Sequence, residues 1–453
     1  MNSISPDLHL VDFASATPKT LQNEVLKAIN AANAFLDKMS VATDQSSDTI
    51  DISAEQALAD VMTFDHMNVA LDRSWGILSH LNSVMSNDET RYVHHELLPK
   101  LSAYGTRVGQ HQPLFSRYQT IINDETFFAS LSPARARAVE LALRSFELSG
   151  VALPKAEQET FAAVQSELST LSAAFSDHVL DATQAYALPL NDKQLAGLTE
   201  SGLALLADAG EQYKARALAC GALTQDEIDA LPTPYYMASL NIPVYLAVMT
   251  HADDRSLRET LYRAYVTRAS EFDTHTNSKG ESLNNADIMS QILQLREQKA
   301  QLLGFGNYAE VSLSTKMADS VTEVETFLRD LAAQATPTAE QDLAQLQKYA
   351  SDYGISELQP WDSAYLAEKV KQSAFSLSQE EIRPYFPLPK VISGLFAIVE
   401  RLYGIKAQPQ SIDGTDSQPV SRWHDDVRFY QLFDADDHLL GGFYFDLFAR
   451  SGK

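Results

Sequence analysis

Apolar residues recur three and four positions apart along most of this chain, the spacing that lays one face of an α-helix against a core. Phe161, Val164, Leu168, Leu171 and Phe175 make one such face, in a helix opened by Pro154. Ile288, Ile292, Leu295 and Leu302 line one side of a helix that starts near Asn285. Gln291, Arg296, Glu297, Gln298 and Lys299 face away from that stripe, and Gly304 supplies the stop. Ser132 caps a helix from Pro133 to Gly150, and Thr224 with Glu227 forms a capping box. A second box, Ser320 with Glu323, precedes Val324, Phe327, Leu328 and Leu331. Pro337 is expected to break or kink that helix, with Thr338 and Gln341 restarting it. Pro389 opens a helix through Leu395, Val399 and Leu402, which Gly404 closes. All of these faces are read as core packing.

Alternation with period two is scarce. Tyr235 to Leu240 is a short strand candidate bounded by prolines. A hairpin over about 427–448 turns at Asp434 to His438 and is apolar on both faces, so both are expected to be covered. The segment 407–421 reads as a loop. The expected fold class is therefore mostly α, with a small antiparallel sheet near the C-terminal end. Three regions are expected: 1–150, a helical N-terminal part; 151–415, a helical part forming a cleft wall; and 416–453, the hairpin. Only Ser451, Gly452 and Lys453 follow the hairpin. Either it docks backwards onto earlier helices, or the chain is the front part of a longer protein. In the second case the hairpin, with Phe429, Phe433, Phe443, Phe445 and Phe448, is left exposed and the chain frays or self-associates.

Composition narrows the partners. The chain has 453 residues, 45% of them hydrophobic, and a formal net charge of -25. That charge repels nucleic acid and anionic membrane, and no Lys/Arg run interrupts it. One cysteine, Cys220, excludes an intrachain disulfide and a CxxC site, and its apolar neighbours predict a buried, inert thiol. No signal-peptide pattern or long apolar run is present, so the cytoplasm is the expected compartment.

Motif searches for chemistry return little. H-E-x-x-H, which sets two His one helical turn apart with a Glu as base, is absent. His94-His95-Glu96 is read as a polar helix end before Pro99. His251, Asp253 and Asp254 are read as a helix N-cap region, and Asp273 with His275 as a solvated loop pair. There is no G-x-S-x-G elbow, no phosphate loop, and no dinucleotide fingerprint; Gly304-Phe-Gly306 follows a helix and not a strand.

Long stretches nevertheless resemble the thimet oligopeptidase, neurolysin and oligopeptidase A family of zinc metallopeptidases. They include Leu261 to Ser270, Asn285 to Glu310, and Ser312 to Ala318. They continue with Trp361 to Tyr365, Arg383 to Pro387, Trp423 to Val427 and Gly442 to Arg450. The resemblance is strong over about 235–453 and is otherwise carried by helical pattern. It implies a helical, two-lobed molecule whose deep channel admits short peptides, including cleaved signal peptides and degradation products. It also implies monomers and a zinc cofactor that activates water. Those zinc ligands and catalytic residues fall beyond the position equivalent to Lys453, so no catalytic or metal residue is assigned in this chain. The chain alone is expected to be inactive. A dipeptidyl carboxypeptidase of the same superfamily and a non-catalytic helical scaffold are the alternatives. Gly441, Gly442, Phe443 and Tyr444 are the substrate-binding candidates. Their strand would pair with an extended peptide through main-chain hydrogen bonds, with a structural edge as the alternative. Arg268 is read as half of an ion pair, with substrate contact as the alternative. Trp361, Tyr365, Tyr385 and Phe386 are read as packing residues, and His424 as a hydrogen-bonded surface residue.

Overall fold

The structure, a computed structural model, describes residues 10–44, 52–277, 279–376, 378–410, 420–450 and 452–453. Helices dominate it. The first group is α1 (Pro18–Asp44), α2 (Ala54–Val84), α3 (Asp88–Gly109), α4 (Gln112–Asn123), α5 (Glu125–Ser130) and α6 (Pro133–Leu148). Polar caps set their starts: the side chains of Ser53, Asn87, Asp124 and Ser132 each accept a backbone N–H of the first turn. Val25, Leu36, Leu78, Leu97 and Ile121 are wholly buried between these helices.

A long helix, α7 (Lys155–Ala185), carries the chain out of this bundle. Arg91 of α3 pairs with Asp181 at 2.5 Å, and His95 meets Asp177 at 2.5 Å, so α7 lies along α3. Beyond it come β1 (Leu188–Pro189), α8 (Glu200–Ala219), α9 (Gln225–Asp229), β2 (Met237–Ala238), α10 (Ile242–His251) and α11 (Arg255–Thr267). Leu206, Ala238, Val248 and Leu261 form the centre of this second core. Gly210 is required there: a Cβ would stand 1.7 Å from the Tyr235 carbonyl oxygen, so only glycine lets α8 approach β2.

Next are α12 (Ala286–Leu302), α13 (Tyr308–Leu313), α14 (Val321–Ala350), α15 (Pro360–Phe375), α16 (Gln379–Ile382) and α17 (Leu388–Tyr403). The chain ends in β3 (Lys406–Pro409), β4 (Arg428–Phe433) and β5 (Leu439–Phe445), an antiparallel sheet in the order β3-β4-β5. An ionic joint ties α11 to α15. Asp362, wholly buried, accepts from Arg255 Nη2 at 2.8 Å, from Arg258 Nη2 at 3.0 Å and from the Gln359 N–H at 3.0 Å. Arg258 is 1% exposed, lies 4.0 Å over the Tyr365 ring and also donates to the Ala252 carbonyl. Burial alone would raise the Asp362 pKa, but these donors outweigh it and hold the carboxyl below its ordinary value.

The mostly α fold with a late antiparallel sheet is as the sequence predicts. Several expectations are corrected. Pro99 does not end α3, which runs on to Gly109 with Leu97 and Tyr104 buried either side. That burial outweighs the roughly 3 kcal/mol a proline costs inside a helix. Pro337 likewise lies within an unbroken α14. There Thr336 Oγ1 donates to the Ala332 carbonyl at 2.7 Å, and the surrounding turns are open to water. The stripes of α14 and α17 are not core in this chain: Phe327, Leu328, Leu331, Leu395, Ile398 and Leu402 are all exposed. Tyr385 and Phe386 are exposed too, whereas Trp361 and Tyr365 are buried as expected. Cys220 is exposed at the end of α8 and not buried. Lys299 turns inward, its Nζ 5.5 Å over the Phe161 ring, and burial lowers its pKa.

The late sheet has three strands instead of one hairpin, because β3 takes up residues read as loop; 411–419 lie outside the described residues. One face of the β4–β5 pair is buried, and the other meets α17 through Phe396 and borders a groove. The hairpin docks backwards, with Val427 and Phe429 only 1% and 4% exposed.

Replacing Asp362 with Ala leaves Arg258 charged and buried without its partner. This is expected to cost about 3–5 kcal/mol in urea unfolding. A loss under about 1 kcal/mol would show that the joint holds nothing.

Candidate peptide-binding strand

Register places the four candidate residues on the outer strand of the sheet. Tyr444 lies opposite Phe429, Phe443 opposite Tyr430, Gly442 opposite Gln431 and Gly441 opposite Leu432, with an irregularity at Leu432/Phe433. The turn between the strands is held by Asp434, whose Oδ1 accepts the N–H groups of Asp436 at 2.9 Å and His438 at 2.8 Å. Because β5 pairs only with β4 among the described residues, its other edge keeps backbone groups that none of them pairs.

Alternation sends the side chains two ways. Phe443, Phe445 and Tyr430 meet Phe396 of α17, with Tyr430 4.9 Å from Phe396 between ring centres. Between this face and α17 lies a groove of about 880 Å³ lined by Leu388, Phe396, Arg428, Tyr430, Phe445 and Leu447, among others. On the opposite face Tyr444 packs 4.7 Å from Phe429, 5.0 Å from Trp423 and 5.9 Å from Phe13. The Tyr444 hydroxyl donates to the Ser421 carbonyl, and burial raises its pKa. Trp423 stacks edge-on to His80 of α2 at 4.3 Å. The sheet is thus seated on the N-terminal bundle.

The two glycines differ. A Cβ on Gly442 would lie 2.5 Å from Phe429 Cζ, so the close approach there is made by the protein's own ring. Nothing stands within 4 Å of a Cβ on Gly441. The close approach read from adjacent glycines is thus internal at Gly442, while the space above Gly441 is open.

A carboxylate fixes the seat. Asp446 accepts from Arg450 Nη1 at 2.6 Å, Trp423 Nε1 at 3.0 Å and Lys453 Nζ at 2.9 Å. These donors, Arg450 first, outweigh burial and hold its pKa well below the usual carboxylate range. Arg450 Nη2 also donates to the Val84 carbonyl at 2.9 Å, and the Ser86 N–H donates to the Gly452 carbonyl at 2.8 Å. A cation thus closes the C-terminal end of α2. Sequence reasoning missed Asp446 and Arg450 although their four-residue spacing was visible; their partner, Val84, lies 366 positions away from Arg450.

The remaining candidates do not converge on this strand. His94 stacks on Trp75 at 4.6 Å, and burial lowers its pKa. Asp254 caps α11 as expected, while Asp253 accepts the Tyr365 hydroxyl at 2.8 Å. Asp273 is not solvated: its side chain is 5% exposed and binds the Ala269 N–H and His275. That bond supports Ala269 at a positive φ of 54°. Arg268 pairs with no carboxylate among the described residues; its guanidinium lies 3.8 Å over the Tyr265 ring. His424 Nδ1 accepts the Asp426 N–H, a partly exposed hydrogen-bonded residue.

Among the described residues one group brings three possible metal ligands together, Asp434, Asp436 and His438. It does not fit a catalytic zinc. Asp434 Oδ1 already holds the turn, its Oδ2 faces His438 Nδ1 at 3.1 Å, and the other carboxylate of the turn, Asp437, pairs with Lys406 at 2.7 Å.

Two family models match parts of the chain. The family model described as "Peptidase family M3" matches residues 248–453, which include the sheet. The model described as "Neurolysin/Thimet oligopeptidase, N-terminal domain" matches residues 40–158, the bundle beneath it. The chain belongs to peptidase family M3. It is similar to oligopeptidase A of Escherichia coli, 40% identical over 454 residues, covering all of this chain and 61% of that protein. Oligopeptidase A of Salmonella typhimurium is 43% identical over 84% of the chain and 52% of its own length. The dipeptidyl carboxypeptidase of Escherichia coli is more distant, at 28% over 86% of the chain and 54% of its length. The chain thus spans between half and two thirds of the length of these curated relatives.

Two outcomes follow from the seat. Gly442→Ala should lose about 1–3 kcal/mol in urea unfolding through the clash with Phe429. Gly441→Ala should stay within about 0.5 kcal/mol; equal losses would contradict the packing described. The depressed Asp446 pKa adds stability above the unfolded value near pH 4 that is lost as pH falls through the folded one. Trp423 fluorescence should therefore report release of the seat in acid, and Asp446→Asn should remove that pH dependence. An unchanged acid limb in Asp446→Asn would refute the anchor.

Proposed function

We propose that the protein carrying this sequence is a zinc-dependent oligopeptidase of the cytoplasm that hydrolyses short peptides, and that β5 is the strand on which the peptide lies. The observation that carries the activity is the 40% identity to oligopeptidase A across the entire chain. A zinc ion would supply a Lewis acid for peptide hydrolysis. The described residues of this chain offer it no fitting ligand set, so the contribution assigned to them is substrate binding.

Each residue type at β5 suits that role. The free edge offers N–H and C=O groups that pair with any extended backbone, whatever its sequence. Gly441 leaves space above the strand, and Gly442 keeps the strand flat against Phe429. Phe443 and Phe445 are fixed between Tyr430 and Phe396, so the edge is held by a packed layer instead of a loose hairpin. The charge of -25 disfavours nucleic acid as partner, and no helix of the described residues is long and apolar enough to cross a membrane. The dipeptidyl carboxypeptidase reading rests on 28% identity and is the weaker of the two. The scaffold reading has no observation in its favour beyond the missing H-E-x-x-H.

The test uses the gene's entire product. It should cleave quenched fluorescent peptides of about ten residues, stop on chelation, and leave folded proteins intact. N-methylation of alternate peptide N–H groups should raise KM at least about tenfold, since each lost main-chain bond weakens pairing. An unchanged KM would exclude strand pairing, and chelator-resistant cleavage would exclude the metallopeptidase. The 453-residue chain by itself is expected to retain no stoichiometric zinc and to cleave nothing.

A further inference from the structure

A cavity of about 310 Å³ lies between the end of α7, the helix α8 and the junction of β2 with α10, elements that contribute nothing to the β3-β4-β5 sheet. Its apolar side includes Met237, 1% exposed, and Ala209, while Tyr186 and Tyr213 stand as aromatic walls. In a chain of net charge -25, the single ionised side chain in the cavity lining is a cation, Arg216. Arg216 Nη1 donates to the Gln184 carbonyl, which fixes the guanidinium at the wall and leaves its other N–H groups without an acceptor among the described residues.

Two more polar residues, Ser239 and Asn241, belong to the lining. Ser239 Oγ is buried and bonds no protein group. Asn241 stands at the N-cap of α10, yet its side chain makes no capping bond. A buried hydroxyl without a partner costs about 1–3 kcal/mol, which a ligand oxygen relieves once the Ser239 side chain rotates toward the cavity. The acids nearest along α8 are already engaged: Asp208 accepts from Gln212, and Glu211 pairs with Lys214 at 2.8 Å. The cavity therefore offers donors and a positive charge beside apolar and aromatic surface.

We propose that this cavity is a binding site for the carboxylate of a molecule of dipeptide size. The carboxylate accepts from Arg216, Ser239 and Asn241, and the apolar remainder packs on Met237 and Tyr213. The volume stands at the lower limit of ligand cavities, about 300–1,000 Å³, which excludes longer peptides. The site is argued from its own lining and does not rest on the peptidase reading.

The experiment is calorimetric titration of the 453-residue chain with glycyl-leucine and with glycyl-leucinamide, which differ in the carboxylate alone. Glycyl-leucine should bind saturably and the amide at least about tenfold more weakly. Arg216→Gln should weaken glycyl-leucine binding about tenfold, with the urea midpoint unchanged. Ser239→Ala, which removes only a hydroxyl, should weaken it about fivefold and serves if the arginine variant misfolds. No saturable heat up to about 10 mM, equal affinity for the amide, or unaltered affinity in a folded variant would overturn the site.

Discussion

The Trp423 side chain is the contact on which the placement of the sheet depends. It fills the space between His80, Phe13 and Tyr444, and its indole N–H is held by Asp446. Residues at both ends of the chain thereby share one contact. Apolar area drives that contact and is blind to direction; the Asp446–Arg450 bonds, closed on the Val84 carbonyl, supply the direction. Without them a hairpin of this length would be marginal. With them β5 is a fixed edge.

A second consequence concerns the two faces of the sheet. One is consumed by the seat on the bundle; the other meets Phe396 of α17 and borders the groove of about 880 Å³. The groove is lined by α17, β3 and β4, and Phe445 is the residue of β5 that reaches it. Exposed apolar stripes continue along α17 and α14, where Leu395, Ile398, Phe327 and Leu328 are open to solvent. Scattered exposed leucines are ordinary, but whole amphipathic faces are not. The charge of -25 works against association at those faces only over about a Debye length.

The helical fold was legible because its signals are local. Ser132 before Pro133, Asn285 through Gly304, and Gly404 after Tyr403 mark ends by backbone chemistry that needs no tertiary partner. What failed was whatever depends on the rest of the molecule. Pro99 and Pro337 are breakers by local rules, yet burial around one and solvent around the other let the helices pass through them. Periodicity showed that α14 and α17 have an apolar face but not what meets it. Cys220 has apolar neighbours in sequence, but of these Ala217 is buried while Leu218 and Ala219 are open to solvent, as is the thiol at the helix end. At the candidate site the strand and its glycines were legible. Its support was not, since Trp423 is hundreds of positions away from both Phe13 and Val84 and no pattern along the chain links them.

The most direct measurement of the central claim is hydrogen exchange along 439–445 in the gene's entire product, with and without a saturating short peptide. An edge strand that pairs with substrate predicts that alternate amides, those facing away from β4, slow markedly when peptide is added, while those bonded to β4 are already slow and stay so. If peptide slows exchange elsewhere and leaves every amide of β5 unchanged, the strand is a structural edge and the account of the site is wrong.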